Sequence, residues 1–154
     1  MAIYQDFKDL LELFNAQRVE YVIVGAHALA FHGVIRATKD IALYVRPTHP
    51  NAQRVLAALD AFGFGGTGLK AEDFEKPDQI IQLGFAPVRI DLITSIAGVP
   101  WDQAAGGQCP GEYGGTSVPF LGRADLIANK KAAGRLQDLA DVERLEGSQS
   151  NGDS

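Results

Sequence analysis

The sequence has little of what secretion, membrane insertion or general nucleic-acid binding requires. Its single cysteine, Cys109, has no partner for an internal disulfide, which indicates a reducing compartment such as the cytoplasm. No apolar run approaches the length of a membrane span, and the opening MAIYQDFKDL lacks the basic-then-apolar order of a signal peptide. The formal net charge of -5 excludes a general attraction for nucleic acid, so that such a substrate would need a local basic groove. We expect a cytoplasmic protein without a membrane partner.

A chain of 154 residues is long enough for one globular domain. Its composition, 46% hydrophobic and 21% charged residues, is ordinary for such a domain. Apolar periodicity predicts helices at about 4–17, 26–33, 50–62, 124–134 and 135–146. Apolar and β-branched runs predict strands at 19–25, 40–45, 80–85, 88–94 and 116–121. Together they predict an α/β fold with a small mixed sheet, flanking helices and a helical C-terminus.

Three finer features of this organisation are also predicted. The strands IIQLGF and VRIDLIT are expected to form a hairpin around Ala86 and Pro87. The segment 98–115 is expected to be loop-rich, with a short helix near Trp101. The single domain is expected to cover residues 1–146, and the apolar-free segment 147–154 to form a disordered tail.

A possible anion site lies where the first strand ends at Gly25 and a helix begins. The unpaired N–H groups and the dipole of a helix start favour negative charge, and glycine lets a phosphate approach the backbone. Most turns of this kind bind nothing, so the turn alone does not define a site.

Two carboxylates lie among apolar residues in predicted strands. Asp40 opens one strand, and Asp91 shares a face of another strand with Arg89. If the strands are neighbours, the two carboxylates converge and need a cation between them, for which Mg²⁺ is suited when phosphates are near. The alternative is a strand-end cap at Asp40 and a salt bridge at Asp91.

Lys130 shares a helical face with Leu126 and Ile127, which predicts that it points inward while Lys131 faces solvent. Its partner would be a triphosphate, or its head would reach water along an apolar stem. In the next helix Arg135, Asp138 and Asp141 follow on a broad common face, where they either brace one another or line the same cleft.

Four segments in this order resemble motifs of the minimal nucleotidyltransferase (DNA polymerase β-like) superfamily, and in particular its AbiEii/AbiGii-type branch. They are VGAHALAFHG, RATKDI, RIDLIT and DLIANKKAAGRLQDLADVERL, and the resemblance covers about residues 19–146. Many members of that branch are toxins of toxin–antitoxin systems. The resemblance implies Mg²⁺-dependent transfer of a nucleoside monophosphate from ATP or another nucleoside triphosphate to a hydroxyl of tRNA or protein. It also implies a cognate antitoxin as a partner.

The resemblance also implies roles for individual residues. Asp40 and Asp91 correspond to the first and third metal-binding carboxylates, and Asp91 would help to activate the attacking hydroxyl. The turn at Gly25 and Ala26 would receive the phosphates, with Lys130 in contact with them. The implied nucleotide-binding set is Gly25, Ala26, Arg36, Lys130 and Asp138, with Asp141 as a second late acidic position.

The family's second catalytic carboxylate corresponds to position 42, where this sequence has alanine. The neighbouring motif residues are kept, so we interpret Ala42 as an engineered Asp→Ala change that leaves the chain inactive or nearly so. Natural loss is the alternative origin. The alternative function is a non-catalytic nucleotidyltransferase-fold module that binds a nucleotide or a partner, and the native codon at position 42 would distinguish the two.

Overall fold

A six-stranded mixed sheet forms the centre of the protein in the computed structural model, which describes residues 3–85 and 88–149. The strand order across the sheet is β3-β4-β2-β1-β6-β5. β2 runs parallel to β4 and β1 runs parallel to β6, whereas the other neighbours are antiparallel. The strands are β1 (Tyr21–Val24), β2 (Asp40–Val45), β3 (Ile80–Phe85), β4 (Val88–Ile93), β5 (Cys109–Tyr113) and β6 (Thr116–Phe120).

Helices cover both faces of this sheet, which confirms the predicted α/β fold. They are α1 (Gln5–Ala16), α2 (Gly25–Phe31), α3 (His49–Leu59), α4 (Trp101–Gly106), α5 (Arg123–Ala133) and α6 (Leu136–Gln149). A π-helical turn (Asp60–Phe64) follows α3, and a 3-10 turn (Ala71–Phe74) precedes β3. Across the two described ranges, none of the helices combines the length and apolar character that crossing a membrane requires.

The strand register determines which side chains share a face. Tyr21, on one face, packs edge-on against Phe14 of α1, with ring centroids 5.4 Å apart. Tyr44, on the other face, packs against Trp101 of α4 at 5.2 Å and donates its hydroxyl hydrogen to the carbonyl of Val99 at 3.2 Å. α1 and α4 therefore lie on opposite faces, and we call the side of Tyr44 the α4 face.

The predicted loop-rich segment was partly wrong, because it contains β5 as well as the expected short helix. The sequence CPGEY has low strand propensity, since proline and glycine are depleted in strands. β5 forms because it pairs along its whole length with β6. At its end Tyr113 is buried, and its hydroxyl accepts a hydrogen bond from the N–H of Tyr4 at 2.8 Å.

Several predicted boundaries also differ from the structure. α2 starts at Gly25 and ends at Phe31, so that Gly33 lies beyond it with a φ of 95°. α6 continues to Gln149, three residues into the predicted tail, because a helix anchored by buried Val142 and Leu145 propagates at low cost. The antiparallel pairing of β3 with β4 confirms the hairpin, whereas its predicted turn and residues 150–154 lie outside the described residues.

Candidate active site

The parallel pairing of β2 with β4 brings the two predicted carboxylates to one face of the sheet. Ala42 lies opposite Asp91, and Asp40 lies opposite Arg89. Paired positions of neighbouring strands point to the same face, and so do positions two apart on one strand. Asp40, Ala42 and Asp91 therefore project together on the α4 face.

The turn at Gly25 lies directly beside this group. Val24, the last residue of β1, is the cross-strand partner of Ala42. A Cβ atom added to Gly25 would be 3.6 Å from the Cβ of Ala42. Gly25 has a φ of +69°, a left-handed conformation that side-chain-bearing residues rarely adopt. The structure thus places Gly25, Asp40, Ala42 and Asp91 together, in what we call the β2–β4 site.

Asp91 lies in an environment that disfavours its charged form. Burial raises the pKa of Asp91 above its usual range and the charge of Asp40 raises it further, while Arg89 and a hydrogen bond from Gln82 oppose the shift. Its Oδ1 atom is buried and has no hydrogen-bond partner within the described part of the chain. Asp91 therefore carries an oxygen that is free to accept a proton or to bind a cation.

Asp40 is less enclosed and has a cationic neighbour. Nη2 of Arg89 lies 3.5 Å from Oδ2 of Asp40, and both side chains are 41% exposed. The backbone of Asp40 is held by Thr38, whose hydroxyl accepts from the Asp40 N–H at 3.1 Å and donates to its carbonyl at 3.2 Å. The first carboxylate is thus fixed through its backbone while its side chain remains accessible.

Gln82 is a component of the site that the sequence analysis missed. It lies opposite Asp91 across the β3–β4 pair, and it acts against the rise in the pKa of Asp91. The signal was present in IIQLGF, where Gln82 stands between Ile81 and Leu83 and so belongs to the other face of the strand. Placing it beside Asp91 required the hairpin register.

The donor set of the β2–β4 site fits one divalent ion better than two. Asp40 and Asp91 are hard oxygen donors, and Asp91 Oδ1 is the unpartnered atom expected of such a ligand. Mg²⁺ is commonly held by one or two carboxylates together with water and substrate phosphates. In residues 3–85 and 88–149, however, His, Cys, Asp and Glu side chains nowhere form a group of three suited to a metal. The methyl group of Ala42 provides no ligand that could bridge a second ion.

A second polar group, which we call the α5–α6 ion cluster, contains Arg36, Lys130, Arg135, Asp138 and Asp141. Nζ of Lys130 lies 3.3 Å from Oδ1 of Asp138 and 3.2 Å from Oδ2 of Asp141. Arg36 binds both oxygens of Asp141 through its two terminal nitrogens. Arg135 binds Asp138 through Nε at 2.6 Å and through Nη2 at 3.2 Å. Arg135 therefore braces Asp138, as the first of the two predicted arrangements proposed, whereas Asp141 is paired with Arg36 and Lys130.

The carboxylates of this cluster are the buried members. Asp138 and Asp141 are 1% and 0% exposed. The Arg135 hydrogen bond, together with Lys130, lowers the pKa of Asp138 to about 2. Burial alone would raise the pKa of Asp141, but Arg36 and Lys130 outweigh it and hold that pKa below its usual range. Both carboxylates are therefore ionised in neutral solution.

The predicted orientation of the two adjacent lysines is confirmed. The side chain of Lys130 is 11% exposed, whereas that of Lys131 is 58% exposed and lies 4.0 Å from Glu146. Lys130 points inward, as its helical phase predicted, but its partners are two carboxylates. Its contact with a phosphate, and the nucleotide-binding roles of Arg36 and Asp138, stay predictions.

Comparison with solved structures places this geometry in a known fold. Over 98% of this chain and 97% of the other, the protein superposes on a candidate nucleotidyltransferase from Thermotoga maritima with a TM-score of 0.60 and 14% identity. It also superposes on the lincosamide antibiotic adenylyltransferase LnuA bound to lincomycin, with a TM-score of 0.54 and 13% identity, over 96% of this chain and 99% of the other. No family model and no curated protein matches the sequence.

These similarities show that the chain has the nucleotidyltransferase fold. They confirm the expected fold, because both neighbours match almost the entire chain. Membership of the AbiEii/AbiGii-type branch stays a prediction.

Proposed function

We propose that the protein is a nucleotidyltransferase whose β2–β4 site binds a nucleoside triphosphate with Mg²⁺. With a carboxylate at position 42, this site would transfer the nucleoside monophosphate to an acceptor hydroxyl. The observation that carries the proposal is the convergence of Asp40, Asp91 and Gly25 around position 42. The fold of the two solved neighbours supports the same assignment.

Each component of the site has a chemical role in this proposal. The N–H groups at Gly25 and Ala26 would receive the phosphates, because glycine permits a close approach to the backbone. Asp40 and Asp91 would hold Mg²⁺, which when bound neutralises charge on the phosphate oxygens. Lys130, Arg36 and Asp138 are retained as proposed nucleotide-binding residues, acting either on the phosphates or through one another.

The proposed reaction is a displacement at the α-phosphorus. The acceptor oxygen forms a bond to that phosphorus, the bond to the bridging oxygen breaks, and pyrophosphate leaves. The hydroxyl proton passes to the carboxylate of Asp91, which is the proposed general base. Oδ1 of Asp91, which is buried and has no hydrogen-bond partner in the described residues, would be the Mg²⁺ ligand, and the other oxygen of this carboxylate would take the proton.

Ala42 accounts for the proposed low activity of the chain as it stands. The residue lies between Asp91 and the Gly25 turn, where a carboxylate would be the third ligand of the site. We propose that Ala42 replaces a native aspartate, and we expect the native codon to encode Asp. The second candidate function, a module that binds nucleotide without transferring it, is favoured by the same methyl group.

Transfer by the Ala42→Asp variant tests the proposal. We expect this variant to gain Mg²⁺-dependent transfer by at least about 100-fold over the Ala42 chain, because one lost metal ligand costs several kcal/mol of transition-state stabilisation. The assay supplies each of the four α-labelled nucleotides with total cellular RNA, a cell lysate or lincomycin as acceptor. RNA and protein are the acceptors expected from the toxin-like resemblance, and lincomycin is included because it is bound to LnuA.

Ala42→Asn is the matched control, because it has the same shape without the charge and should remain inactive. Calorimetric titration of nucleotide with Mg²⁺ accompanies the assay. Nucleotide binding by Ala42→Asp without transfer to any acceptor would support the binding module. Absence of both binding and transfer would contradict the proposed function. Co-purification with the product of an adjacent gene would test the proposed cognate antitoxin.

A further inference from the structure

Asp141 is a completely buried carboxylate that accepts hydrogen bonds from two side chains and forms an ion pair with a third. Nη1 of Arg36 lies 3.1 Å from its Oδ2, and Nε2 of Gln137 lies 3.2 Å from its Oδ1. Nζ of Lys130 also lies 3.2 Å from Oδ2. A carboxylate enclosed by three donors has no free face for a substrate, so its function must act through its partners.

Arg36 connects this buried group to the β2–β4 site. It lies between α2 and β2, four residues before Asp40. Along this segment the carbonyl of Lys39 accepts the N–H of Arg89 at 3.2 Å, and Thr38 binds the backbone of Asp40. The segment 36–40 is therefore held at its far end by Asp141 and at its near end by β4.

α6 gives Asp141 a rigid base. Val142, the next residue, is 6% exposed, and Leu145 is fully buried in the core. Lys130 of α5 forms an ion pair with Asp141 from the neighbouring helix, which fixes the carboxylate from a second direction. By contrast, Lys131 and Glu146 form a 4.0 Å pair between the same two helices in which both side chains are more than half exposed. The exposed pair should contribute little.

We propose that Asp141 is a positioning residue that holds Arg36, and through it the segment 36–40, so that Asp40 is presented at the β2–β4 site. This inference rests on the proposed function for its consequence in catalysis, but the positioning itself is a property of the free protein. The two C-terminal helices are thereby part of the active-site framework, although Asp141 itself has no free face for a substrate.

Hydrogen exchange and nucleotide binding test the proposal in two backgrounds, the Ala42 chain and Ala42→Asp. The variants are Arg36→Met, Arg36→Lys, Asp141→Asn and the double variant Arg36→Met/Asp141→Asn. Lys131→Met/Glu146→Gln is the control, because it removes the exposed pair between the same helices. Exchange is measured for the amides of 36–41 and compared with core amides of β1, so that a global loss of stability is separated from local opening.

We expect Arg36→Met and Asp141→Asn each to speed exchange in 36–41 about tenfold relative to the β1 amides. Arg36→Lys should keep most of the protection of these amides. The double variant should exchange no faster than the faster of the two single variants, because both substitutions remove the same interaction. The control should resemble the parent. In the Ala42→Asp background, the variants that speed exchange should also weaken nucleotide binding with Mg²⁺.

Two outcomes would overturn the proposal. One is unchanged relative exchange in 36–41 for Arg36→Met, a variant that removes a partly exposed side chain and should fold even if Asp141→Asn does not. The other is additive loss of binding in the double variant, which would mean that Arg36 contacts the nucleotide independently of Asp141. Because exchange is measured without nucleotide, failure of Ala42→Asp to transfer any label would refute the proposed function and leave the positioning test intact.

Discussion

Asp91 shows how one side chain combines a cost to the fold with a use in chemistry. Burial and the neighbouring charge of Asp40 disfavour its ionised form, while Arg89 and Gln82 offset only part of that effect. A carboxyl group with a pKa raised by folding destabilises the native state increasingly as the pH rises from the ordinary pKa to the raised one, and fully above the raised one. Groups with shifted pKa values are concentrated at functional sites, in keeping with the proposed role of Asp91.

Asp91→Asn should therefore stabilise the protein in neutral solution while removing transfer by Ala42→Asp. The gain in unfolding free energy should be no more than about 1 kcal/mol, because solvent screens part of the interaction. The gain is present above the raised folded pKa and disappears as the pH falls to the ordinary value of 3.8, where the unfolded group also becomes protonated. Urea denaturation at about pH 7 and about pH 3.5 measures it, and a loss of stability in neutral solution would contradict this account.

At the scale of single residues, the sequence predicted the features that depend on the periodicity of one strand or one helix. The alternation around Asp40 and Asp91 predicted that each lies among apolar neighbours, and the helical phase of Lys130 predicted its inward direction. Gln82 and the partners of Lys130 were missed because they depend on contacts between elements. The register of β3 against β4 and the closeness of Arg36 to α6 cannot be read from periodicity within one segment.

The turn that we propose to receive phosphates is the junction of β1 with α2. The strand ends at Val24, opposite Ala42, and the helix begins at Gly25 in a left-handed conformation. The sequence predicted this strand and helix well because VIVG ends a run of β-branched residues. It failed at β5, where proline and glycine concealed a strand that tertiary pairing stabilises.

Gly25→Ala should lower both folding stability and nucleotide binding. The added methyl group would make an ordinary 3.6 Å contact with Ala42, so the cost comes from the backbone conformation and should be about 1–2 kcal/mol. Gly134→Ala is a matched control, because Gly134 has the same φ of 69° at the end of α5 and the added atom would lie 3.7 Å from the carbonyl of Lys131.

The two glycine variants should lose similar stability in urea denaturation, but only Gly25→Ala should weaken nucleotide binding by more than its stability loss explains. Calorimetric titration in the Ala42→Asp background makes the comparison. Equal losses of nucleotide binding in Gly25→Ala and Gly134→Ala would contradict the proposed phosphate-binding role of the turn at Gly25.

At the scale of the whole molecule, ion pairs help to hold the helices and the approach to β2 together on the α4 face. Lys130 and Asp138 join α5 to α6, and Arg36 joins the approach to β2 to the same helices through Asp141. Most of the remaining core is apolar, and periodicity predicted the part of it that Phe7, Leu10 and Phe14 of α1 form. A buried carboxylate with cationic partners makes the stability of the entire fold depend on its ionisation.

The acid stability of the protein should report on Asp138. Its folded pKa of about 2 lies below the ordinary value of 3.8, because Arg135 and then Lys130 stabilise the carboxylate. A depressed pKa contributes stability that is fully present above pH 3.8 and is lost as the pH falls toward 2.

Asp138→Asn should thus cost about 1–2 kcal/mol in neutral solution, after allowance for screening at the exposed Arg135. That difference from the parent should shrink steadily between about pH 4 and pH 2. Urea denaturation across this range measures it, and Arg135→Met should remove much of the pH dependence by removing its main cause. If the stability curves of the parent and of the Asp138→Asn variant stay parallel down to about pH 2, the pairing with Arg135 and Lys130 does not lower the pKa of Asp138.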